Sequence, residues 1–400
     1  MSSRWRELVT GRRMLAAAML GLAFNSLPFY TSGLFINALH ADRGWSLSGL
    51  SLGPTLLVAI MALCAPLMGY AFDRYGERRF ILPGLVVQAV GFLLLSRIDG
   101  LTGYWLAMSL IALLGAGSTS PAYLRIVNRT FDRSKGAAMA LTITGGALFA
   151  AIAPPLLQAL IADHGWRTGY IGVATVALCG LPIIALLLGR AAPRPEQLRA
   201  ATPSDFRYRD LVASPAFLIL SLAIFAVAVA CPGLMIHFAT MLTAEGFTAR
   251  DAAWMISIIG TTQIVSRLAT GVLMDRFFAP RVAAAIMAAS GIGIALLNWG
   301  GIDWAVAGAI AVGLAYGAES DLGGYFAGRY YPSAHFGRVF GAFYAVFLIG
   351  AALSPTIYGV AVDRFGSYTP ALTGASILLL IAALLFLRLP AFPADRQEAA

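Results

Sequence analysis

The sequence contains little charge, little cysteine and little histidine. Asp, Glu, Lys and Arg make up 12% of its 400 residues, whereas about 25% is usual in water-soluble chains, so the chain lacks the polar surface of a soluble protein. Each of the three cysteines, Cys64, Cys179 and Cys231, lies alone in an apolar run. This excludes a disulfide framework and a zinc site. The four histidines are scattered, and the sequence shows no nucleophile–base pair or metal-ligand spacing that would indicate an enzyme.

Apolar residues dominate instead, at 59% of the chain with a mean hydropathy of +0.78. A membrane-spanning helix needs roughly 20 mostly apolar residues. Twelve stretches qualify: 13–39, 47–72, 80–97, 102–128, 135–162, 167–189, 214–243, 249–274, 281–299, 303–328, 336–362 and 369–389. The first resembles a secretory signal but is too long for one. The sequence therefore predicts an all-α membrane protein with twelve transmembrane helices.

One connection is long and polar, at residues 190–213. It predicts two six-helix bundles, 1–189 and 214–400, joined by a cytoplasmic linker. With the N-terminus inside, twenty-one of the 28 basic residues fall in cytoplasmic segments and five on the opposite side. This bias predicts that both termini are cytoplasmic. The net charge of +9 thus reports topology and not a nucleic-acid partner.

The two halves carry a repeated pattern. Four residues at the end of the second predicted helix recur 202 positions later, and three further residues recur at an offset of 201. The first set is Gly69, Asp73, Arg74 and Arg79 with Gly271, Asp275, Arg276 and Arg281; the second is Gly136, Pro154 and Gly165 with Gly337, Pro355 and Gly366. Two motifs at nearly one offset indicate a duplicated six-helix unit.

The loop after the second helix reads Gly69, Asp73, Arg74, Gly76, Glu77, Arg78, Arg79. It resembles the signature loop of the major facilitator superfamily, and departs from it at Glu77. The second copy lacks the middle glycine, which is Phe278 here. Within that superfamily the chain is similar to the monocarboxylate and oxalate/formate porters, in NRTFDRSKGAAMALTITGGALFAAIAPPL, VSRLATGVLMDRF and GRYYPSAHFGRVFGAFYAVFLIGAALSPTIYGVAVDRFGSY. The resemblance implies two pseudo-symmetric six-helix bundles and secondary transport by alternating access.

The repeated loop clusters a carboxylate and several guanidinium groups at one membrane face. The resemblance implies a conformational latch there, formed by Gly69, Asp73, Arg74, Gly76 and Arg78 and by Gly271, Asp275 and Arg276 of the second copy. The alternative is that these are solvated charges that only set the orientation.

Two ionisable residues lie deep within predicted helices. Arg267 precedes Asp275 by eight residues, about 12 Å along the helix, and Glu319 precedes Arg329 by ten residues, roughly 15 Å. Buried charge in a membrane is costly and usually faces a cavity or a partner. We expect Arg267 to bind an anionic substrate, as the resemblance also implies, and Glu319, or else Asp321, to balance it and exchange protons. A static buried ion pair is the alternative.

Weaker candidates complete the predicted site. The resemblance implies that the first helix of each three-helix unit lines the cavity, so Asn25, Tyr30 and Tyr123 are candidate ligand contacts or interhelical hydrogen bonds. Gln263 stands where animal monocarboxylate porters often have an aspartate, and we count it as a substrate contact. The lysine that those porters often carry in helix 1 is absent. Two further residues are expected to lie at gates or interfaces, Arg125 and His237.

These observations predict a secondary active transporter of small organic anions, in particular monocarboxylates, coupled to protons. Proton-coupled efflux of drugs or other metabolites, and organic-anion exchange, remain alternatives. The expected partners are the anion, protons and the lipid bilayer, with no nucleic acid, and nothing requires more than a monomer. No cofactor or metal is expected. The arginine-rich composition suggests a bacterial source and hence the cytoplasmic (inner) membrane.

Overall fold

The structure is a computed structural model that describes residues 3–131, 134–189, 208–331 and 336–392. Within these ranges the chain is all helical, as predicted, with fifteen α-helices and two short 3-10 helices, Ala116–Ser118 and Gly301–Trp304. The α-helices are α1 (Ser3–Thr10), α2 (Arg12–Asn25), α3 (Leu27–Arg43), α4 (Leu47–Tyr75), α5 (Arg78–Leu95), α6 (Leu101–Gly115), α7 (Ser120–Thr130), α8 (Lys135–Leu188), α9 (Tyr208–Val212), α10 (Pro215–Ala244), α11 (Ala249–Arg276), α12 (Ala279–Gly300), α13 (Ala305–Tyr330), α14 (Phe336–Phe365) and α15 (Thr369–Leu387).

Ten helical segments among the described residues are long and apolar enough to cross a membrane. Two of them, Leu141–Leu188 with 48 residues and Ala279–Tyr330 with 52, are long enough for two crossings each. Both contain a glycine with a positive φ, Gly165 at 80° and Gly301 at 69°. The backbone therefore breaks between the predicted helices of each pair, and the ten segments are consistent with twelve crossings.

Two predicted helices are interrupted, which is a correction to the sequence-based expectation. The first is divided at Ser26 into α2 and α3, and the fourth is divided by the 3-10 helix Ala116–Ser118 before α7 begins. In both cases a proline, Pro28 or Pro121, stands in the first turn of the new helix. Proline is accepted there because its missing N–H has no helical partner at that position.

An additional short helix, α1, precedes the first predicted span. The carboxylate of its Glu7 accepts hydrogen bonds from the Ser134 backbone N–H (2.8 Å) and hydroxyl (2.6 Å). These bonds tie the N-terminal segment to the start of α8. The predicted linker, 190–213, falls mostly outside the described residues, with only 208–213, which include α9, inside them, so the domain boundary stays a prediction.

Close contacts between the sequence halves involve glycines. A Cβ at Gly33 of α3 would lie 2.1 Å from the Ile236 carbonyl oxygen of α10, and one at Gly260 of α11 would lie 2.6 Å from the Ala151 nitrogen of α8. Small residues allow this close approach in membrane helices. A third pair, α4 and α14, also packs across the halves. Helices of the two halves therefore surround a shared interior.

Candidate substrate cavity between the two halves

A cavity of about 290 Å³ lies between the two halves. Its walls come from α2, α3, α7 and α8 of the first half and from α10, α11, α13 and α14 of the second. A depression of about 530 Å³ between α12 and α15 is lined mainly by alanine and leucine. Because the shared cavity contains convergent polar groups and belongs to both halves, it is the candidate substrate site.

Arg267 and Glu319 both line this cavity. They are almost fully buried, with 5% and 7% of their surface exposed. Within the part of the chain that the structure describes, Glu319 forms no ion pair or hydrogen bond with Arg267, and its Oε1 accepts no hydrogen bond. The two residues that the sequence singled out therefore share one cavity while remaining separate charged groups. The Asp321 side chain lies outside the described part of the structure.

Three of the weaker candidates also line the cavity, namely Asn25, Tyr30 and Gln263. The Tyr30 hydroxyl donates a hydrogen bond of 2.9 Å to Oε1 of Gln263. This bond connects α3 of the first half to α11 of the second. Gln263 stands one helical turn from Arg267 on the same face of α11. Tyr30 and Gln263 therefore bridge the halves beside the buried arginine.

Tyr123, the remaining candidate contact, is not part of the cavity lining. Its side chain is fully buried in the first half, where its hydroxyl lies 2.6 Å from the Ser118 hydroxyl. A Cβ at Gly21 would lie 2.0 Å from the Tyr123 ring, so α2 packs directly onto it. The neighbouring Ser120 and Leu124 face the cavity instead. The hydrogen bond to Ser118 is local, between residues five apart in the same predicted membrane helix, and Tyr123 contacts α2 through packing of its ring.

Aromatic side chains of the second half form one side of the cavity. They are Tyr316 of α13 with Phe340, Phe343, Tyr344 and Phe347 of α14, and we call this set the aromatic wall. Sequence analysis missed it. The α14 members recur at positions i, i+3, i+4 and i+7, which places them on one helix face. That spacing was a usable signal, but it does not say whether the face meets a cavity, a neighbouring helix or lipid.

The loop between α4 and α5 has the expected glycine conformation. Gly76 ends α4 with a φ of 79°, a value that favours glycine. The Arg78 guanidinium donates to the Gly189 carbonyl oxygen (3.1 Å) and lies 3.3 Å from the Met14 sulfur, and Arg74 donates to the Tyr70 hydroxyl (2.9 Å). The Arg78 contacts connect the start of α5 to the end of α8 and to α2, whereas the Arg74 contact lies within α4.

The latch itself stays a prediction, because the side chains of Asp73 and Asp275 lie outside the described part. The backbone at Gly69 is helical within α4. In the second copy, Arg276 is exposed and a Cβ at Gly271 would meet nothing within 4 Å.

Glu77, the point at which the loop departs from the family pattern, has a structural role. Its carboxylate is 6% exposed and Oε2 lies 3.6 Å from Nε of Arg125, which is 25% exposed. The ion pair joins the start of α5 to α7. Arg125, predicted as an interface or gating charge, therefore lies at an interface within the first half.

A second group of contacts joins the halves near the helix ends that the arginine distribution predicts to be extracytoplasmic. The Asp363 carboxylate accepts from the Leu47 and Ser48 backbone N–H groups, at 3.2 and 2.8 Å. Three side-chain pairs accompany it: Ser51 with His237 at 2.7 Å, Thr55 with Thr356 at 2.8 Å, and Asn37 with Thr243 at 3.1 Å. We call these four contacts the outer seam. His237, expected to be a packing or gate residue, is fully buried within it.

Comparison with known proteins identifies the family of this chain and solved structures with a similar fold. The model of the Major Facilitator Superfamily matches residues 18–355 and 238–400. Monocarboxylate transporter 11 of Homo sapiens is 25% identical over 386 residues, which cover 93% of this chain and 78% of that protein. This match confirms the predicted likeness to monocarboxylate-type porters.

Two solved structures share the fold. The crystal structure of a D-xylose–proton symporter matches with a TM-score of 0.74 at 13% identity and covers 97% of this chain and 98% of its own. A bacterial homologue of the human lysosomal transporter Spinster, in an inward-facing and occupied conformation, has a TM-score of 0.71 at 18% identity, with 97% of both chains covered. The protein is thus a multi-pass membrane transporter and not an enzyme. Because the family model matches most of its length, the chain belongs to the major facilitator superfamily.

Proposed function

We propose that this transporter carries small organic anions, in particular monocarboxylates, coupled to protons and by alternating access. The observation that carries the proposal is the burial of Arg267 in a cavity shared by both halves. A second, chemically different group, Glu319, lines the same space. A relative named as a monocarboxylate transporter is consistent with this substrate class.

Arg267 is suited to bind a carboxylate. A guanidinium offers a planar fork of N–H donors that matches the two oxygens of a carboxylate. Keeping an arginine at this depth costs about 2.5–3.5 kcal/mol on insertion scales, and such a residue usually faces a cavity or a partner and marks a substrate or ion pathway. We therefore assign to Arg267 the binding of the substrate carboxylate. Its neutral hydrogen-bonding neighbours in the cavity are Asn25, Tyr30 and Gln263.

Glu319 is suited to carry the proton. Arginine stays charged in proteins, whereas a carboxyl group can bind and release a proton. Glu319 faces the same cavity, and its Oε1 accepts no hydrogen bond from the described residues. Protonation there would change the charge of the cavity by one unit when the substrate enters or leaves. This links anion movement to the proton gradient.

The positions at which the two halves touch support alternating access. The outer seam holds the extracytoplasmic helix ends together, while the loop at 69–79 and its second copy at 271–281 would latch the opposite ends in the other conformation. The protein would work as a monomer in the cytoplasmic membrane, with both termini inside.

The substrate assignment is tested by uptake of a radiolabelled carboxylate into proteoliposomes. Arg267→Ala should abolish uptake and Arg267→Lys should leave a small fraction of it, because lysine keeps the charge but loses the forked geometry. Arg250→Ala is the matched control, since Arg250 lies on the same helix and is exposed. Normal uptake by a correctly folded Arg267→Ala protein would refute the assignment.

The coupling assignment has a separate test. Glu319→Gln should still exchange labelled for unlabelled carboxylate across the membrane but should lose accumulation driven by a pH gradient. Asp303→Asn, at an exposed position in the 3-10 helix before α13, is the control. If accumulation by Glu319→Gln equals that of the parent protein, Glu319 does not couple transport to protons.

Efflux of cationic or neutral compounds is a second candidate function. It is favoured by the aromatic wall, because aromatic faces attract cations, and by the carboxylate of Glu319 beside it. A thermal-shift screen of matched anionic, neutral and cationic ligands separates the two functions. Stabilisation by anions that disappears in Arg267→Ala supports the carboxylate carrier, and stabilisation by cations that disappears in Glu319→Gln supports efflux.

A further inference from the structure

We infer that the preferred substrates are monocarboxylates that carry an aromatic ring, not short aliphatic acids. This inference rests on the proposed function, because it assumes that Arg267 holds the carboxylate. The additional observation is the aromatic wall, whose members line the same cavity as Arg267.

The geometry of the wall favours a flat apolar group. On α14, the rings of Phe340 and Tyr344 lie 6.3 Å apart and 20° from parallel, and those of Tyr344 and Phe347 lie 6.1 Å apart and 26° from parallel. Three successive rings thus share one approximate orientation. A ligand ring can add to such a series in offset or edge-to-face contact, at the centroid distances that aromatic pairs prefer.

The cavity also has room for a ring and a carboxylate together. Roughly 150 Å³ is enough for benzene in an apolar protein cavity, and the volume here is about 290 Å³. On α13, Tyr316, Glu319 and Gly323 face the cavity at successive turns, and a Cβ at Gly323 would have no neighbour closer than 3.8 Å. Space therefore remains beside the wall. A two- or three-carbon acid would reach Arg267 but leave the aromatic surface uncovered.

Uptake of phenylacetate and of lactate into proteoliposomes tests this inference. We expect kcat/KM for phenylacetate to exceed that for lactate at least tenfold, from burial of the ring and its aromatic contacts. Phe347→Leu should lower the phenylacetate-to-lactate ratio about fivefold. Phe80→Leu is the control, because Phe80 is also partly buried and contacts an aromatic ring, Phe72, but lies outside the cavity lining.

The outcomes separate this inference from the proposed function. Uptake of neither acid would overturn both. Uptake of lactate at least as efficient as that of phenylacetate, with an unchanged ratio in Phe347→Leu, would overturn the aromatic preference and leave the carboxylate carrier standing.

A different observation supports a second inference, that Asp363 is an outer latch. The segment GVAVDRFG at the end of α14 repeats the pattern Gly-x-x-x-Asp-Arg-x-Gly of the loop at 69–76, with Gly359, Asp363, Arg364 and Gly366 in the motif positions. It lies at the opposite membrane face from the first copy. Gly366 has a φ of 66°, as Gly76 does in the first copy with 79°.

The contacts of this third copy cross between the halves. The Asp363 carboxylate accepts the backbone N–H groups of Leu47 and Ser48, the first two residues of α4. The first N–H groups of a helix have no partner within the helix, and the helix dipole favours a negative charge there. These bonds can form only while the outer ends of α4 and α14 are together. Asp363 therefore stabilises the conformation with the outer seam closed.

Distance measurements between spin labels test the latch. Labels at Ala41→Cys and Ala244→Cys, both exposed at outer helix ends of different halves, are placed in a protein whose natural cysteines are replaced by alanine. Asp363→Asn should lower the ratio of the short to the long distance about fivefold, because the charge at the helix N-terminus is lost.

Asp251→Asn is the matched control for the latch. Asp251 is also an exposed outer carboxylate, but its hydrogen bonds are to Thr248 of its own half. A distance distribution in Asp363→Asn that equals those of the parent and of Asp251→Asn would overturn the latch.

Discussion

Gly359 of α14 gives a direct test of the outer seam. A Cβ at this position would lie 2.8 Å from each of three atoms of α4: the Leu47 carbonyl oxygen, the Ser48 Cα and the Ser51 hydroxyl oxygen. Two of these are backbone atoms, which cannot turn away. Gly359→Ala therefore forces α4 and α14 apart by several tenths of an ångström, and it does so only while the seam is closed.

The expected magnitude follows from two opposing effects. Overpacking of a tight contact costs about 1–3 kcal/mol, whereas replacing a helical glycine by alanine gains roughly 0.5–1 kcal/mol. Relative to the conformation with separated outer ends, the closed conformation loses the overpacking cost of about 1–3 kcal/mol, which corresponds to a factor of roughly 5–150 in their population ratio. The helix gain alone applies to both conformations and does not shift their ratio.

The assay is the distance between labels at Ala41→Cys and Ala244→Cys, together with thermal denaturation. Gly341→Ala is the control on the same helix, since a Cβ at Gly341 would meet nothing within 4 Å. We expect longer distances in Gly359→Ala, and parental distances with a slightly raised Tm in Gly341→Ala. If the two variants give the same distances and the same Tm, the reasoning about the seam is wrong.

Three further predictions concern other parts of the molecule. Glu77→Gln should lower the free energy of unfolding by about 2 kcal/mol because it removes the ion pair between Glu77 and Arg125; a double-mutant cycle with Arg125→Met measures the coupling, and additive effects would contradict the ion pair. Tyr30→Phe should remove the hydrogen bond to Gln263 and so destabilise the contact between the halves by about 1 kcal/mol, seen as a shift towards longer label distances; an unchanged distribution would show that this bond does not hold the halves. Gly165→Ala should destabilise the protein by about 1–3 kcal/mol because of its positive φ, measured as Tm, and a parental Tm would contradict the backbone break there.

Much of the architecture was predictable from the sequence. Long apolar stretches predicted the helical membrane architecture, because a helix in lipid must satisfy its own backbone hydrogen bonds over about 20 residues, and the ten spans among the described residues are consistent with the predicted twelve crossings. The breaks at Ser26 and Ala116–Ser118 were missed, although Pro28 and Pro121 stand beside them. Proline occurs both at helix starts and inside bent but continuous membrane helices. Neither the prolines nor the hydropathy therefore distinguished a broken helix from a bent one.

The candidate site was predictable in part. Arg267 and Glu319 stood out because a charge at membrane depth is costly and requires a cavity or a partner, and both line the cavity. Tyr123 was a candidate by its helix alone and packs into the first half instead. The difference is one of helix rotation, since residues 120 and 124 of the same helix face the cavity. Hydropathy does not fix rotation where every face is apolar.

The sequence by itself determined that this chain is a multi-pass helical transporter with a duplicated motif and a few buried charges that are energetically unfavourable in a membrane. Those features depend on composition and on spacing along one helix. The tertiary structure decided which residues of different helices come together: Glu77 pairs with Arg125, Asp363 accepts hydrogen bonds from the start of α4, and the aromatic wall lines the same cavity as Arg267. Such partners lie far apart in the chain, and only the packing of the helices brings them within contact distance.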